Sequence, residues 1–587
     1  MHSTSASTID KPLTKACATR RVAQPDPGWN AVKVTYLIIG GGTAGAVLAA
    51  RLSEDPSATV CLLEAGPDIR PDAVPSDIDD DFPSASLNPA YFWKDLRARR
   101  RSCGDEYPYP QARVLGGGSS INGMWTLRGL PANYDSWVKA GAAGWGWDDV
   151  LPYFRRAEGD VGRRPGPGQS GPFVIRRPPR PEWPGFAAAA EKVLNARGFQ
   201  TIDDINEEPG CGFFAMPYAA SGGKRSSGVS CYLTREVRAR PNLTILADAT
   251  AHYLEIDCGR VTGAVYVSKG ERARVAAEEI ILSAGGVHSP AILLRSGIGD
   301  ADGLRALGIA PRHHLKGVGR HLQNHPYLQF AMTMPRHARQ SAALRTFACA
   351  GLRHSSGQVE SPDGDLFLSL LGRVGPRGFG TDLAMLSAAL YAPFSRGRVS
   401  LASPDPDVTP LIDFRFFDDP RDAPRMLQAA RLVEMLLAAP EFATCYHDAY
   451  ILPPVMAANQ FNRDGVRGHL LALGAKVALN SPGFVSRALL GRALKPGKWI
   501  ANRAGQRRLS DDEILGAVAP MGHVASTCRM GHASDPDAVV DAHCRVIGLE
   551  RLRVVDASVM PSVPSANTNL PTIMVAERAA DLIKARV

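Results

Sequence analysis

Long apolar runs are missing from this chain of 587 residues. No segment reaches the roughly 18 apolar residues that a membrane-spanning helix requires, so the sequence predicts no transmembrane segment. A large charge excess is missing as well, because the formal net charge is only +9. Spread over the whole chain, that charge does not predict a nucleic-acid partner. With 45% hydrophobic and 21% charged residues, the composition is that of an ordinary globular protein with a large core.

Paired cysteines are also lacking. None of the 10 cysteines forms a C-x-x-C pair, which predicts free thiols in a reducing compartment. Residues 1–31 lack the apolar run of a secretory signal and predict a disordered extension, with a weak organelle-targeting segment as the alternative. Together these absences predict a cytoplasmic protein. The sequence shows no internal repeat and predicts no metal site.

What the sequence does contain is a complete nucleotide-binding pattern. It predicts, in order, a buried strand, a glycine turn, a helix, a second strand and an acidic residue, at residues 32–39, 40–45, 44–53, 59–63 and 64. Gly40, Gly42 and Gly45 would let backbone N–H groups approach a pyrophosphate at the positive end of the helix. Glu64 would accept hydrogen bonds from a ribose, and its charge disfavours a 2′-phosphate. NAD and FAD therefore both remain open, whereas NADP is disfavoured.

The rest of the chain divides by its local patterns. Residues 104–171 are dense in Gly, Pro, Trp and Tyr and predict loops held by aromatic packing. Residues 224–330 predict a return to alternating strands and helices. Residues 330–520 predict a substrate domain of sheet and helices. Other predicted elements are strands at 243–246, 261–267, 279–284, 398–402, 411–416 and 551–556, and helices at 289–295, 421–438 and 572–584.

A histidine and an asparagine precede the last predicted helix. Residues 523–531 read HVASTCRMG, and Asn567 lies four residues before Pro571. Proline suits the first position of a helix, whose N-terminus carries a partial positive charge that stabilises an anion. His523 as a general base and Asn567 as a hydrogen-bond donor would then share one pocket.

These motifs, taken in this order, resemble the glucose–methanol–choline family of FAD-dependent oxidoreductases from about residue 33 to the C-terminus. The resemblance rests on five segments, at residues 40–66, 113–122, 285–299, 523–531 and 556–569. Within the family, residues 133–137 and 563–574 most resemble bacterial 5-(hydroxymethyl)furfural oxidases.

The resemblance implies an α/β fold, α+β overall. A Rossmann-like FAD-binding domain would pack intimately against a second domain built on a mainly antiparallel sheet with helices. The implied FAD-binding domain is discontinuous and comprises residues 32–150, 224–330 and 535–587. The implied substrate-binding domain comprises residues 151–223 and 331–534.

The resemblance also implies functional residues. His523 and Asn567 would be catalytic. Contacts to FAD are implied for Gly40, Gly42, Thr43, Ala44, Gly45, Glu64, Ala65, Ser119, Asn122, Gly123, Ala251, Asp556, Ala557 and Thr568. Ile121 occupies the position at which relatives with covalent flavin carry histidine, so noncovalent FAD is expected.

The chain departs from the family pattern at four further positions. Ser526 replaces the usual glycine of the histidine motif, which adds a side chain to a tight turn. Lys316, His321 and Asn324 replace the usual Pro, Asn and Asp, and these changes are expected to affect packing more than chemistry.

The implied reaction is the oxidation of a primary alcohol, furanic or aromatic, or of a hydrated aldehyde. His523 would take the hydroxyl proton, the hydride would go to flavin N5, and O2 would be the acceptor, giving H2O2. Three alternatives stay open: a dehydrogenase that passes electrons to a quinone or other acceptor, a flavin-dependent lyase or decarboxylase, and a nucleotide-binding protein without catalysis.

Overall fold

The computed structural model describes residues 32–102, 104–161, 170–454, 466–480, 498–502 and 504–585. The predicted extension at residues 1–31 lies outside the described residues. Within them, two large sheets each carry their own hydrophobic core. No helix in these ranges is long and apolar enough to cross a bilayer.

The first large sheet has seven strands and contains the predicted nucleotide-binding unit. Its path runs through Leu243–Leu246, Val60–Leu63, Val32–Ile39, Glu271–Leu282, Arg260–Ser268 and Ala249–Asp257, with Leu552–Val554 also paired to Glu271–Leu282. The pairings among the first four strands are parallel, and so is the pairing of Leu552–Val554 with Glu271–Leu282. Arg260–Ser268 pairs antiparallel with both of its neighbours, Glu271–Leu282 and Ala249–Asp257. Parallel strands are buried on both faces, which explains the continuous apolar sequence of Val60–Leu63.

The second large sheet has nine strands and is antiparallel throughout. Its path runs through Gly505–Gln506, Lys498–Asn502, Asp448–Ile451, Pro326–Thr333, Leu383–Leu390, Leu366–Leu371, Ala348–His354 and Gly212–Ala215, with Ala519–Pro520 paired to Pro326–Thr333. The predicted boundary at residue 330 falls inside the strand Pro326–Thr333. The division into two domains stays a prediction.

A five-stranded sheet consists of Arg320–Leu322, Gly397–Ser400, Leu411–Asp413, Arg97–Arg99 and Glu106–Pro108. Strand pairs are formed by Ile298–Gly299 with His313–His314, Glu158–Asp160 with Phe173–Ile175, and Ala220–Ser221 with Lys224–Arg225. The described α-helices of nine residues or more are Thr43–Leu52, Pro131–Lys139, Trp147–Ala157, Gly185–Asn195, Gly285–Arg295, Asp422–Ala438, Val466–Leu479 and Asn569–Lys584. Shorter α-helices are Ser76–Asp79, Gly118–Ile121, Gly228–Cys231, Arg235–Arg238, Ala301–Ala306, Pro440–Ala443 and Asp511–Gly516.

For residues 104–171 the predicted aromatic packing is confirmed, whereas the prediction of loops is wrong in part. This region contains the helices Pro131–Lys139 and Trp147–Ala157, which pack against each other through aromatic rings. Tyr134 and Phe154 form an edge contact with centroids 5.7 Å apart. Aromatic side chains have low helix propensity, and here their burial outweighs it, so composition alone was misleading.

A buried carboxylate joins the glycine-turn helix, Thr43–Leu52, to the C-terminal helix, Asn569–Lys584. Glu577 has a fully buried side chain and accepts two hydrogen bonds of 2.9 Å from the Arg51 guanidinium. Arg156 approaches the same carboxylate at 2.8 Å, and the Tyr232 hydroxyl donates to it at 2.9 Å. The last helix is thereby fixed against the first βα unit.

Replacing Glu577 by alanine is expected to lower the free energy of unfolding by about 3 kcal/mol, because it leaves two guanidinium groups without their buried partner. Urea denaturation followed by fluorescence measures the change. Glu54→Ala is the matched control, since Glu54 also pairs with Arg51 but is 39% exposed, and we expect it to cost no more than about 1 kcal/mol. Equal costs for the two variants would contradict the role of Glu577.

Candidate functional site

A cleft of about 850 Å³ opens where the parallel strands of the seven-stranded sheet end. Ile39, Leu63 and Ser283 line it, and each stands at or directly after the carboxyl end of one of these strands. Open α/β sheets bind their ligands at this edge. The volume lies within the roughly 300–1,000 Å³ that is usual for ligand and cofactor pockets.

The cleft brings together most of the residues that the sequence analysis assigns to the cofactor. Eleven of them line it, namely Gly40, Gly42, Thr43, Ala44, Glu64, Ala65, Asn122, Ala251, Asp556, Ala557 and Thr568. Gly45, Ser119 and Gly123 are not among its lining residues. The Ser119 hydroxyl instead donates to the Gly116 carbonyl at 2.6 Å and accepts from the Gly228 N–H at 2.8 Å.

Two glycines keep space open in the cleft. A Cβ built on Gly42 would have no heavy atom nearer than 3.9 Å, and one on Gly118 would have none within 4 Å. At Gly45, by contrast, a Cβ would lie 1.9 Å from the Gly40 carbonyl oxygen, so this glycine is required for helix–strand packing. The helix Thr43–Leu52 begins in the open space without a side-chain cap. Its unpaired N–H groups and the room beside them fit the pyrophosphate of a dinucleotide.

Glu64 lies on the cleft wall and is only 7% exposed. Its two carboxylate oxygens accept from the N–H groups of Gly41 at 2.8 Å and Gly66 at 2.7 Å. Burial raises the pKa of Glu64 to about 7, and the two backbone N–H groups oppose this shift. Each oxygen retains lone-pair capacity, so the fixed carboxylate can still accept from a ribose hydroxyl.

The C-terminal helix also begins at the cleft. It starts at Asn569, three residues earlier than predicted, so Pro571 is its third residue rather than its first. Proline is tolerated there because the first turn of a helix has no intrahelical acceptor for its N–H groups. The Thr43 hydroxyl donates to the Asn569 side chain at 3.0 Å. Two positive helix ends therefore meet at one place, which favours an anionic ligand.

His523 and Asn567 lie side by side next to the cleft, although neither is among its lining residues. Nε2 of His523 is 3.3 Å from Nδ2 of Asn567, and both residues are partly exposed. His523 stands between Gly522 and Val524, which line the cleft, and Asn567 directly precedes the lining residue Thr568. Burial lowers the pKa of His523 to about 4, so its imidazole is neutral at physiological pH. A neutral imidazole beside an amide can accept a proton from a bound hydroxyl group.

Three chain segments hold the histidine segment in place. Gln323 and Ala525 exchange backbone hydrogen bonds of 3.1 and 3.0 Å. Cys528 donates from its backbone to the Ser558 carbonyl at 2.8 Å. The Thr527 hydroxyl donates to the Gly286 carbonyl at 2.7 Å. The imidazole is thus positioned by three segments that are distant in the sequence rather than by its own loop.

Several residues at this site were not identified from the sequence. His325 contacts His523, and the Tyr391 hydroxyl donates to Oδ1 of Asn567 at 3.3 Å. Asn324, at which an effect on packing more than on chemistry was expected, accepts from the backbone N–H of His523 through its side-chain Oδ1 at 3.3 Å. Position 325 is close in sequence to the departures at 316–324, whereas nothing local to Tyr391 indicates its role.

One wall of the cleft carries a stacked aromatic pair that the sequence also did not reveal. Trp93 and His288 lie with centroids 4.1 Å apart, and the Arg113 guanidinium is 5.3 Å from the Trp93 ring centre. Burial lowers the pKa of His288 to about 3. All three residues line the cleft and give it a flat, uncharged surface beside a cation.

Ser526 has the backbone conformation that its family position would give to glycine. Its φ is 70°, its side chain is completely buried, and its hydroxyl has no hydrogen-bond partner. The Ser526 N–H donates to the carbonyl of Ala557, a cleft residue, at 3.2 Å. The strained turn is therefore the part of the histidine segment that is hydrogen-bonded to a residue of the cleft.

Comparison with known proteins identifies relatives over nearly the whole chain. Family models described as GMC oxidoreductase match residues 34–327 and 393–576. The 5-(hydroxymethyl)furfural oxidase of Methylovorus sp. (strain MP688) is 36% identical over 569 residues, which cover 93% of this chain and 98% of that protein. The mitochondrial choline dehydrogenase of Homo sapiens is 32% identical over 592 residues, covering 94% of this chain and 89% of that protein.

Solved structures share the fold. Pyridoxine 4-oxidase from Mesorbium loti has a TM-score of 0.75 and 26% identity, covering 94% of this chain and 99% of that chain. Formate oxidase has a TM-score of 0.76 and 24% identity, covering 95% of this chain and 99% of that chain. At this identity the similarity supports a shared fold and nothing further. The predicted α/β fold with a mainly antiparallel second sheet is confirmed.

Replacing Ser526 by glycine is expected to raise the free energy of unfolding by about 1 kcal/mol. Relief of a left-handed conformation, about 1–2 kcal/mol, and loss of an unpaired hydroxyl outweigh the added chain entropy of about 0.4–1 kcal/mol. Ser526→Ala is the control, because it removes the hydroxyl and keeps the strain. Urea denaturation that finds the glycine variant less stable than the alanine variant would contradict this interpretation.

Proposed function

Because the chain belongs to the glucose–methanol–choline (GMC) oxidoreductase family, we propose that it oxidises a primary alcohol with FAD as cofactor. The substrate class is furanic or aromatic alcohols, and hydrated aldehydes are included because a gem-diol offers the same hydroxyl. Support for this class comes from the furfural oxidase relative, which covers nearly the full length of the chain. The His523–Asn567 contact of 3.3 Å, between residues whose chain neighbours line the cleft, is the observation that carries the proposal.

The cleft residues would hold FAD in the following way. Gly42 and the helix that begins at Thr43 would bind its pyrophosphate, and Glu64 would accept from its adenosine ribose. Asn122 and Thr568 would lie along the flavin. Ile121 offers no nucleophile for a covalent bond to the ring, so binding is noncovalent. When bound, FAD supplies the hydride acceptor that the protein's own side chains cannot provide.

His523 performs the proton chemistry. Its neutral imidazole takes the hydroxyl proton at Nε2, and the resulting alkoxide-like oxygen expels hydride far more readily than a neutral alcohol does. A positioned base of this kind contributes about 10²- to 10⁴-fold to the rate. Asn567 hydrogen-bonds to the same oxygen and sets its angle, because proximity and orientation account for much of the remaining acceleration.

The final acceptor has two candidates. We propose O2, with H2O2 as product, because the more similar of the two relatives described above, at 36% identity, is an oxidase. A dehydrogenase that reduces a quinone or similar acceptor is the second candidate, because the human relative is a choline dehydrogenase. Purified protein mixed anaerobically with furanic, benzylic and aliphatic alcohols should show flavin bleaching. Admitting O2 then separates the candidates, since only an oxidase re-oxidises rapidly and forms peroxide.

We expect His523→Ala to retain bound yellow flavin but to slow its anaerobic bleaching by substrate at least ~10²-fold, because the base is lost. Stopped-flow absorbance measures the rate. His532→Ala is the matched control, since His532 is exposed and lies nine residues further along the chain. Near-normal bleaching in the His523 variant would remove this residue from the mechanism.

The rate of flavin reduction is expected to rise with pH through about 4 and to be constant above about 5. The base acts in its neutral form, and burial lowers the pKa of His523 to about 4, so the active form is present at every pH above that range. Rates measured anaerobically from pH 4.5 to 8 test this. A decline that sets in as soon as the pH falls to 6.5, the usual value for histidine, would contradict it.

A further inference from the structure

His325 lies on the other side of the His523 ring from Asn567. Its Nδ1 is 2.9 Å from Nδ1 of His523, while Nε2 of His523 faces Asn567. The two rings are nearly perpendicular, with centroids 5.0 Å apart and an interplanar angle of 83°. Two ring nitrogens at this distance share one hydrogen, so one histidine donates and the other accepts. The donor's identity decides whether Nε2 of His523 carries a lone pair or a hydrogen.

Two arrangements of hydrogens satisfy the contacts from Tyr391 to His325. In the first, Tyr391 donates to Oδ1 of Asn567, whose Nδ2 donates to Nε2 of His523. The Nδ1–H of His523 then donates to His325. The second arrangement requires the Asn567 amide to be turned over, so that its Oδ1 accepts from an Nε2–H of His523, its Nδ2 donates to the Tyr391 hydroxyl, and His325 donates from Nδ1. Only the first arrangement leaves a lone pair that can take a hydroxyl proton.

The surroundings of His325 favour the first arrangement. Its ring is completely buried, and its Nε2 has no hydrogen-bond partner of ordinary geometry. Burial and the neighbouring His523 hold the pKa of His325 well below its usual value, whereas the backbone carbonyls of Pro564 and Tyr391 act in the opposite direction. The neutral ring of His325 can therefore accept at Nδ1. The Asn567 amide presents Nδ2, which only donates, to Nε2 of His523, so Nε2 accepts and the hydrogen of His523 lies on Nδ1. That Nδ1–H faces Nδ1 of His325, which accepts it.

Stacking fixes the plane of the His325 ring. Tyr391 lies against it with centroids 4.3 Å apart and an angle of 12°, and Phe367 stacks in turn on Tyr391 at 4.3 Å and 2°. The His325 carbonyl accepts from the Met521 N–H at 3.1 Å. The next residue begins the strand Pro326–Thr333, so the backbone of His325 is anchored in the nine-stranded sheet. The acceptor is therefore held at a fixed place behind the base.

We propose that His325 is a positioning residue that sets the tautomer of His523, an inference that rests on the proposed function of His523 as the base. The lone pair on Nδ1 of His325 keeps the hydrogen of His523 on Nδ1, so that Nε2 carries a lone pair, rather than a hydrogen, with which to take the proton of a substrate hydroxyl. When the hydroxyl O–H bond breaks, its proton forms a new N–H bond at Nε2, and the electron pair stays on the substrate oxygen. The contact to His325 then orients the imidazolium, and no second proton moves.

Two amide substitutions both remove the imidazole ring of His325, but only one of them can keep an acceptor atom at the place of Nδ1. In His325→Asn the amide can put its oxygen near the place of Nδ1, whereas in His325→Gln the amide reaches the place of Nε2. We expect His325→Gln to slow anaerobic flavin reduction about 10²-fold and His325→Asn to stay within about tenfold of wild type. The substrate Kd should change little in either variant, because His325 does not contact the substrate.

The tautomer can be measured independently of turnover. In protein labelled with 15N-histidine, the His523 signals are assigned by their absence from His523→Ala. We expect them to report a hydrogen on Nδ1 in wild type and in His325→Asn. In His325→Gln we expect a hydrogen on Nε2 or a mixture of both tautomers. A merely structural role for His325 would leave this signature unchanged.

His321→Asn is the matched control. His321 lies in the same segment, pairs with Asp537 at 3.1 Å, and has a φ of 61° that asparagine adopts readily. It should leave both the reduction rate and the tautomer unchanged.

A hydrogen on Nε2 of His523 in wild type, or an unchanged tautomer in His325→Gln, overturns the proposal. Flavin content and Tm check that the variants fold, and if His325→Gln does not, the wild-type tautomer decides. If no alcohol bleaches the wild-type flavin, the proposed function fails, while the tautomer still reports on His325.

Discussion

The backbone pairing of Gln323 with Ala525 holds the two halves of the candidate site together. On one side of this pairing the chain passes through His325 into the nine-stranded sheet. On the other side it passes from His523 to the turn at Ser526, which is bonded to the cleft residue Ala557. A proton acceptor has to be fixed to within about 0.5 Å of its productive place, and this short ladder holds the segment of His523 against the segment of His325 in the candidate site.

Burial brings the titratable groups of the site towards their neutral forms. It lowers the pKa of His523 to about 4 and raises the pKa of Glu64 to about 7. Burial also raises the pKa of Asp556. Backbone dipoles contribute to the polarity of the cleft beside charged side chains such as Arg113, above all the dipoles of the helices that begin at Thr43 and Asn569. Dipoles of this kind are preorganised by the fold and need no reorientation during a reaction.

Local patterns predicted the first βα unit well. The predicted bounds of the strand Val32–Ile39 agree with the structure at both ends, and those of the helix Thr43–Leu52 differ by one residue at each end. Glycine turns and buried parallel strands are encoded over a few neighbouring residues. None of the strands of the nine-stranded sheet was predicted individually, because a mainly apolar run such as Leu366–Leu371 does not distinguish strand from helix. The contacts of His325 and Tyr391 were missed for another reason, since they join residues far apart in the sequence.

The join between the glycine-turn helix and the C-terminal helix has a consequence for biosynthesis. The cleft wall includes residues from Asp556 to Thr572, which leave the ribosome after nearly all of the chain. Synthesis proceeds at about 5–20 residues per second, and the first βα unit can fold long before its last neighbour exists. Flavin capture is therefore a late event that follows translation of almost the whole polypeptide, and a chain cut short before residue 556 would emerge without a complete place for the cofactor.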